Sequence, residues 1–200
     1  MSDGFYYWYS AQQDWEGLEQ VLHALATSGV HLAHPASRVV TAITNGPDSW
    51  GQQLPMERAA LIELLTLTNS TEVNFQLWLN EQTDLFTRFR RLADGRMVVE
   101  FGLDGMSRAE QDMAVQAVSH LIDTDRDSTW GMVLDRRGLT EETDWDGVML
   151  GQPVEIAEWP DALGVRPEVA ARHPLLRRAQ GVSRPPLVFF GEDAEAEAWH

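Results

Sequence analysis

Residues 72–103 decide the fold of this chain, and they read EVNFQLWLNEQTDLFTRFRRLADGRMVVEFGL. Apolar residues occupy every second position from Val73 to Leu79, and Asp84–Leu92 and Arg96–Leu103 are two further stretches of strand-forming residues. A two-residue period is typical of a strand with one buried face. Because only short turns separate the three stretches, they predict a three-stranded antiparallel meander over about 72–103.

Burial also predicts the register of the last two strands. A three-residue loop over 93–95 puts the apolar faces of both strands on the same side and sets Arg88 opposite Glu100. A two-residue Asp-Gly turn would instead move Arg88 and Arg90 onto the apolar face. The longer loop is therefore expected, with Gly95 in the left-handed conformation that such a loop requires.

Three stretches of the chain carry apolar residues at the spacing of one helical face, each near a residue that suits a helix start. In the last of them, Ser107 and Glu110 have the spacing of a capping box. These stretches predict helices over about 14–28, 55–67 and 107–123. With the strands, they predict an α+β fold in which an antiparallel sheet has its helices packed on one face.

The domain organisation is predicted from length and from a change in composition. Residues 1–190 are expected to form a single α+β domain with a core over 1–136. After Arg136 the sequence contains prolines and short apolar pieces, so 137–190 predicts an irregular C-terminal wrap. Residues 191–200 carry four acids and predict a flexible acidic tail.

The chain contains no lysine and no cysteine, and its formal net charge is −16. Chemistry that needs a lysine or a thiolate is therefore excluded. We interpret the missing lysine as a coding bias, with escape from lysine-directed modification as the alternative. Asp123–Asp127 resembles the start of a calcium loop but lacks the glycine and glutamate that such a loop requires. The sequence predicts no catalytic residue, no metal and no cofactor.

The charge is distributed unevenly along the chain. Residues 100–161 carry 15 acids and four arginines, a net charge of −11, whereas 162–190 carries one acid and five arginines, a net charge of +4. We hypothesise that the basic segment folds back over the acidic one. The alternative is two separate solvated faces that never meet.

Four acids surround a tryptophan in the C-terminal third, namely Glu141, Glu142, Asp144 and Asp146 around Trp145. An aromatic anchor ringed by carboxylates suits contact with a basic partner, so we predict a partner-binding epitope here. A solvated acidic loop and an acid–base or metal site are the alternatives.

A second candidate lies on the predicted meander. Arg88, Arg90 and Arg96 are expected on its outward face with Glu100, where they could bind an anion, or else form ordinary cross-strand ion pairs. Trp78 is expected on the polar face of its strand. It is predicted either to contact a partner or to lie under the C-terminal wrap.

These observations favour a cytosolic acidic protein that acts by stoichiometric contact with a basic protein, as an inhibitor or immunity protein would. Nucleic acid and anionic membrane are not expected as partners, because a chain of this charge repels them. No apolar run approaches the length of a membrane span. The alternatives are a self-associating accessory or chaperone-like protein, which would be a homodimer, and an enzyme with an unrecognised carboxylate or histidine site.

Overall fold

One antiparallel sheet runs through the chain. A computed structural model describes residues 4–11, 13–45, 51–67 and 72–191. Within these residues the sheet has ten strands in the order β3-β2-β4-β5-β6-β1-β7-β8-β10-β9. The strands are β1 Phe5–Ser10, β2 Val40–Ile43, β3 Gln53–Met56, β4 Glu72–Trp78, β5 Asp84–Arg91, β6 Met97–Gly102, β7 Thr129–Asp135, β8 Ala162–Val165, β9 Val182–Arg184 and β10 Leu187–Phe190.

Five helices accompany these strands in the described part of the chain. They are α1 Trp15–Thr27, α2 Arg58–Thr66, α3 Arg108–Thr124, α4 Trp145–Met149 and α5 Pro167–Arg172, and a 3-10 turn follows at Leu176–Arg178. The α+β class is therefore confirmed.

The meander is confirmed in its strands and in its register. In β5 and β6, Thr87 pairs with Phe101, Arg88 with Glu100 and Phe89 with Val99. Gly95 has a φ of 88°, the left-handed conformation expected of the loop. Local alternation and the turn residues were sufficient to predict this part because each strand pairs with its neighbour in sequence.

The three predicted helices share one core on the first face of the sheet. Buried residues of α1, α2 and α3 join buried residues of β4, β5 and β6 in a single apolar cluster. Asp14 accepts a hydrogen bond from the amide of Gly17, 2.9 Å away, at the start of α1. Ser107 and Glu110 form the expected capping box at the start of α3.

The start of the second helix differs from the prediction of about 55. Pro55 lies in β3, opposite Thr41 of β2, and α2 begins only at Arg58. Proline suits the first turn of a helix as well as an edge strand. Pairing with β2 decides between the two, and that pairing is not visible in the local sequence.

The prediction of an irregular C-terminal wrap is wrong where strands form. β8 pairs with β7, and β10 and β9 extend the sheet beyond it. Meanwhile α4, α5 and the 3-10 turn pack on the second face of the sheet in a separate apolar cluster. These strands are three or four residues long, so they carry no period of their own and only pairing reveals them as strands. Residues 192–200 of the predicted tail lie outside the described residues.

The basic segment 162–190 does lie beside the acidic one, because β8 pairs with β7. Its Arg166 binds backbone carbonyls rather than carboxylates. The guanidinium donates to the carbonyl of Thr129 at 2.7 Å and to that of Asp127 at 2.7 Å. Strand pairing rather than opposite charge therefore explains the contact.

No helix among the described residues is long and apolar enough to cross a membrane.

The outer edge of β3 lacks one hydrogen-bond donor. The amide of Thr44 donates to the carbonyl of Gln52 at 3.0 Å, so the backbone groups of Gln52, Leu54 and Met56 point toward β2. Those of Pro55 point outward, and proline has no N–H. The exposed edge is therefore poorly suited to pairing with a further strand.

We expect Pro55→Thr to promote self-association through this edge. Two copies paired about a two-fold axis would gain two hydrogen bonds, each contributing about 1 kcal/mol. Sedimentation velocity would show a concentration-dependent dimer, and Gln53→Thr, which leaves Pro55 in place, would not. An unchanged sedimentation profile for Pro55→Thr would contradict this explanation of the edge.

The capping box makes helix α3 sensitive to acid. Hydrogen bonds from Ser107 and Thr83 lower the pKa of Glu110 to about 2. A lowered pKa means that the carboxylate stabilises the fold above its ordinary pKa of 4.5 and loses this effect as pH falls toward 2. We expect Glu110→Gln to destabilise the protein at pH 6, with the difference from wild type shrinking between about pH 4.5 and 2. Urea unfolding at several pH values would measure this, and a constant difference would contradict it.

Candidate functional site

The C-terminal helices do not extend over the whole second face of the sheet. They cover β7, β8 and β10 together with parts of β1 and β6. On β4 and β5 the same face carries polar side chains, of which Asn74 and Gln76 are buried, together with the exposed ring of Phe86. We call this region the open face and define it by Tyr7, Asn74, Gln76, Trp78, Phe86, Arg88, Arg90, Glu100 and Gly102.

Ion pairs connect the arginines of the open face to carboxylates. Arg88 lies 3.3 Å from Glu100 and 3.7 Å from Glu72. Arg90 pairs with Glu100 and also reaches Asp146 of α4, to which it donates a second hydrogen bond of 3.0 Å. Arg88 and Arg90 are therefore neutralised by the protein itself, as the cross-strand alternative anticipated.

Arg90 attaches α4 to the sheet. Burial alone lowers the pKa of its guanidinium, but the hydrogen bonds and charges of Asp146 and Glu100 outweigh burial and raise the pKa above its ordinary value. The hydroxyl of Tyr9, in β1, donates a hydrogen bond of 3.0 Å to the carboxylate of Asp146. Burial, and then the charge of Asp146, raise the pKa of Tyr9 well above its usual range. Arg90 and Tyr9 therefore remain protonated at neutral pH, and both donate hydrogen bonds to Asp146.

A depression of about 360 Å³ lies next to this network. Its lining includes Gly102, which pairs with Phe5 on one side and lies next to Phe86 on the other. Phe86 is 36% exposed. We call this cavity the aromatic depression; its lining consists of Gly4, Phe5, Tyr7, Phe86, Arg88, Glu100, Phe101, Gly102, Asp104 and Glu141.

Tyr7 and two acids give the aromatic depression its polar character. The ring of Tyr7 stacks on that of Phe5 with centroids 4.3 Å apart. Burial, and then the charge of Glu100, raise the pKa of Tyr7 to about 12, with a smaller contribution from Glu141. Asp104 and Glu141 are exposed at the rim, and no hydrogen bond or ion pair of their side chains is found among the described residues.

The acidic loop is placed differently from the predicted epitope. Glu141 and Glu142 are exposed, as expected. Asp144 caps α4 by accepting from the amide of Gly147 at 2.9 Å. Trp145 is only 2% exposed, so the expectation of an exposed aromatic anchor is wrong.

The burial of Trp145 has a clear physical cause. It is the first residue of a helix whose apolar side packs on the sheet, and its indole N–H donates to the carbonyl of Thr140 at 3.2 Å. The helix therefore turns the tryptophan inward and directs Asp146 toward Arg90 and Tyr9, whereas Glu141 and Glu142 are exposed. The role of the exposed acids in partner binding stays a prediction.

Arg96 lies away from the other two arginines of the predicted anion site. Its guanidinium packs 4.2 Å from the ring centroid of Trp130, and it donates to the carbonyl of Met149 at 3.2 Å and to Asp94 at 2.6 Å. Arg88, Arg90 and Arg96 thus each have a carboxylate partner. An anion at this face would have to displace one of them.

Trp78 lies on the open face but is half-buried. The ring of His34 meets it edge-on with centroids 4.4 Å apart, and His31 pairs with it through the backbone. The segment before β2 therefore covers Trp78. Self-association through this residue, and an enzymatic site, stay predictions.

Four polar atoms of the open face are buried and have no hydrogen-bond partner among the described residues. They are Oδ1 of Asn74, Oε1 of Gln76, Nε1 of Trp78 and Nε of Arg88. An unsatisfied buried polar group costs roughly 1–3 kcal/mol, so such groups are uncommon. These atoms lie together on one side of β4 and β5. Because unsatisfied groups lower stability, their clustering indicates that this surface serves a purpose other than stability.

No motif in the sequence indicates the aromatic depression directly. Phe86, Tyr7 and Gly102 belong to three different strands, and their proximity depends on the pairing of β1 with β6. One signal was available: a glycine inside a strand often marks a close approach by another group.

Other cavities offer less convergent chemistry. One of about 290 Å³ lies between the end of α3 and the β9–β10 hairpin. Its Asp123 and Arg126 neutralise each other at 2.7 Å. Among the described residues there is no group of three or more His, Asp or Glu side chains arranged to hold a metal ion.

No family model matches the chain, and no curated protein or solved structure resembles it significantly.

Removing Arg90 is expected to cost more stability than removing Arg88. Arg90→Met leaves Asp146 without an ion-pair partner in a partly buried position, which should cost about 2 kcal/mol. Arg88→Met leaves Glu100 paired with Arg90 and should cost less than about 1 kcal/mol, as partly exposed pairs do. Urea unfolding of the two matched variants would compare them. Equal losses would contradict the attachment of α4 by Arg90.

Proposed function

We propose that this is an acidic binding protein that acts by stoichiometric contact with a basic protein. The contact surface in this proposal is the open face together with the exposed acids of the adjoining loop. One observation carries the proposal: Asp104 and Glu141 border an aromatic depression, and neither is neutralised by an arginine among the described residues. Uncompensated carboxylates beside exposed aromatic surface are typical of an interface for a cationic partner.

The overall charge supports the same proposal. The chain carries 31 acids against 15 arginines. The arginines of the open face are engaged by internal carboxylates, so the excess of negative charge remains for solvent or a partner. Such an excess accelerates the encounter with a basic protein, most strongly at low salt.

An inhibitor or immunity protein is the form of this function that we favour. Such a protein needs no cofactor and no catalytic group, only a surface complementary to its target. A cytosolic location is part of the proposal. Nucleic acid and anionic membrane are not included as partners, because both would be repelled by this surface.

Capture from an extract of the source cells would test the proposal. We expect wild-type protein to retain a basic protein in a one-to-one complex at low salt, with retention falling as salt rises. Glu141→Gln combined with Glu142→Gln should weaken retention by about tenfold, since two exposed charge contacts contribute up to about 1 kcal/mol each.

The matched control neutralises two exposed acids elsewhere. Glu57→Gln with Glu63→Gln removes the same charge from α2, which packs on the first face of the sheet. This variant should retain the partner almost as wild type does. Equal losses in both double variants, or no specific partner for wild type, would contradict the proposal.

A further inference from the structure

We infer that the aromatic depression binds an arginine side chain of the basic partner. This inference rests on the proposed function and makes it specific to one cavity. Three features carry it: the space above Gly102, the aromatic side chains on both sides, and the two free carboxylates at the rim.

The space arises from the strand order. β6 lies between β1 and β5, and neighbouring strands are about 4.8 Å apart, so Phe5 and Phe86 are separated by about 10 Å across Gly102. A Cβ at Gly102 would lie 3.6 Å from the Cβ and 3.9 Å from the Cδ1 of Phe86, both ordinary contact distances. Since glycine has no side chain, this position leaves room beside the exposed ring of Phe86, across from the stacked rings of Phe5 and Tyr7. A flat group can stack on the Phe86 ring there.

The charges around the gap favour a cation. The lining includes one arginine, Arg88, and three carboxylates, Glu100, Asp104 and Glu141. Arg88 and Glu100 neutralise each other at 3.3 Å. The two remaining carboxylates, Asp104 and Glu141, therefore favour a positively charged ligand, and both would repel an anion.

A guanidinium suits this site better than an ammonium. It is planar and weakly hydrated, it stacks on aromatic rings, and its fixed donors can reach two carboxylates at once. A lysine ammonium is a compact, strongly hydrated charge that gains less from a flat apolar gap. We therefore assign the aromatic depression to arginine.

Titration of the full-length protein with N-acetyl-arginine amide, followed by NMR, tests this assignment. We expect backbone amide shifts centred on Tyr7, Phe86 and Gly102, with a dissociation constant in the millimolar range, as one exposed cation site provides. N-acetyl-citrulline amide, which is similar in shape but uncharged, should produce no such shifts. N-acetyl-lysine amide should bind at least about threefold more weakly.

Three variants separate the cavity from general negative charge. Gly102→Val fills the gap without changing charge and should abolish binding. Glu141→Gln should weaken binding about threefold, whereas Glu142→Gln, which neutralises an exposed neighbour outside the lining, should leave it unchanged. The NMR spectrum of each variant verifies that the fold is intact, and Glu141→Gln keeps the test valid if Gly102→Val does not fold.

Shifts spread over the acidic surface, or equal effects of Glu141→Gln and Glu142→Gln, would overturn the inference. The result is distinguishable from that of the capture experiment. If a basic partner is retained but arginine does not bind in the aromatic depression, the inference fails and the proposed function stands. If arginine binds there but no basic partner is retained, the proposed function fails and the cavity remains an arginine site.

Discussion

The pairing of β5 with β6 determines which side chains occupy each face of the sheet. With Arg88 opposite Glu100, Leu85, Phe89, Val99 and Phe101 face the three large helices, and Arg88, Arg90 and Glu100 face the opposite side. A slip of one residue would bury Arg88 and Arg90 and expose Phe89. The cost of burying two arginines without partners makes this register the one compatible with a folded core.

The second face depends on a partly buried charge network. Arg90 lies between Glu100 and Asp146, and through Asp146 it attaches α4 to the sheet. That attachment brings the loop before α4, including Glu141, to the rim of the aromatic depression. The position of the candidate site is thus a consequence of one arginine that satisfies two carboxylates. Removing water from such a network is costly, and the network is stable only because each charge has a hydrogen-bonded partner.

The first face of the sheet is packed as a stable core, whereas the open face departs from optimal packing. The first face is an apolar core of the usual kind. The open face combines buried polar atoms that accept or donate no hydrogen bond among the described residues, an exposed Phe86 and a glycine where a side chain would fill space. Departures from optimal packing that cluster in one place are typical of a surface used for binding. The surplus of acids around it indicates the charge of what it binds.

Local sequence determined much of this protein. The meander, its register, the loop with Gly95, the capping box of α3 and the cross-strand placement of Arg88 and Glu100 all follow from patterns within about 30 residues. These features are predictable because the residues that pair or cap are close in sequence, so period and turn chemistry specify them.

Only the tertiary structure decided the rest. The short strands β8 to β10 exist because they pair with β7 and with each other, Trp145 is buried because α4 docks on the sheet, and the aromatic depression forms because β1 inserts between β6 and β7. Each of these depends on contacts between residues distant in the chain. A short apolar piece, or a tryptophan among acids, has no period that reveals its partner. Burial is therefore a property of the folded arrangement rather than of the local sequence.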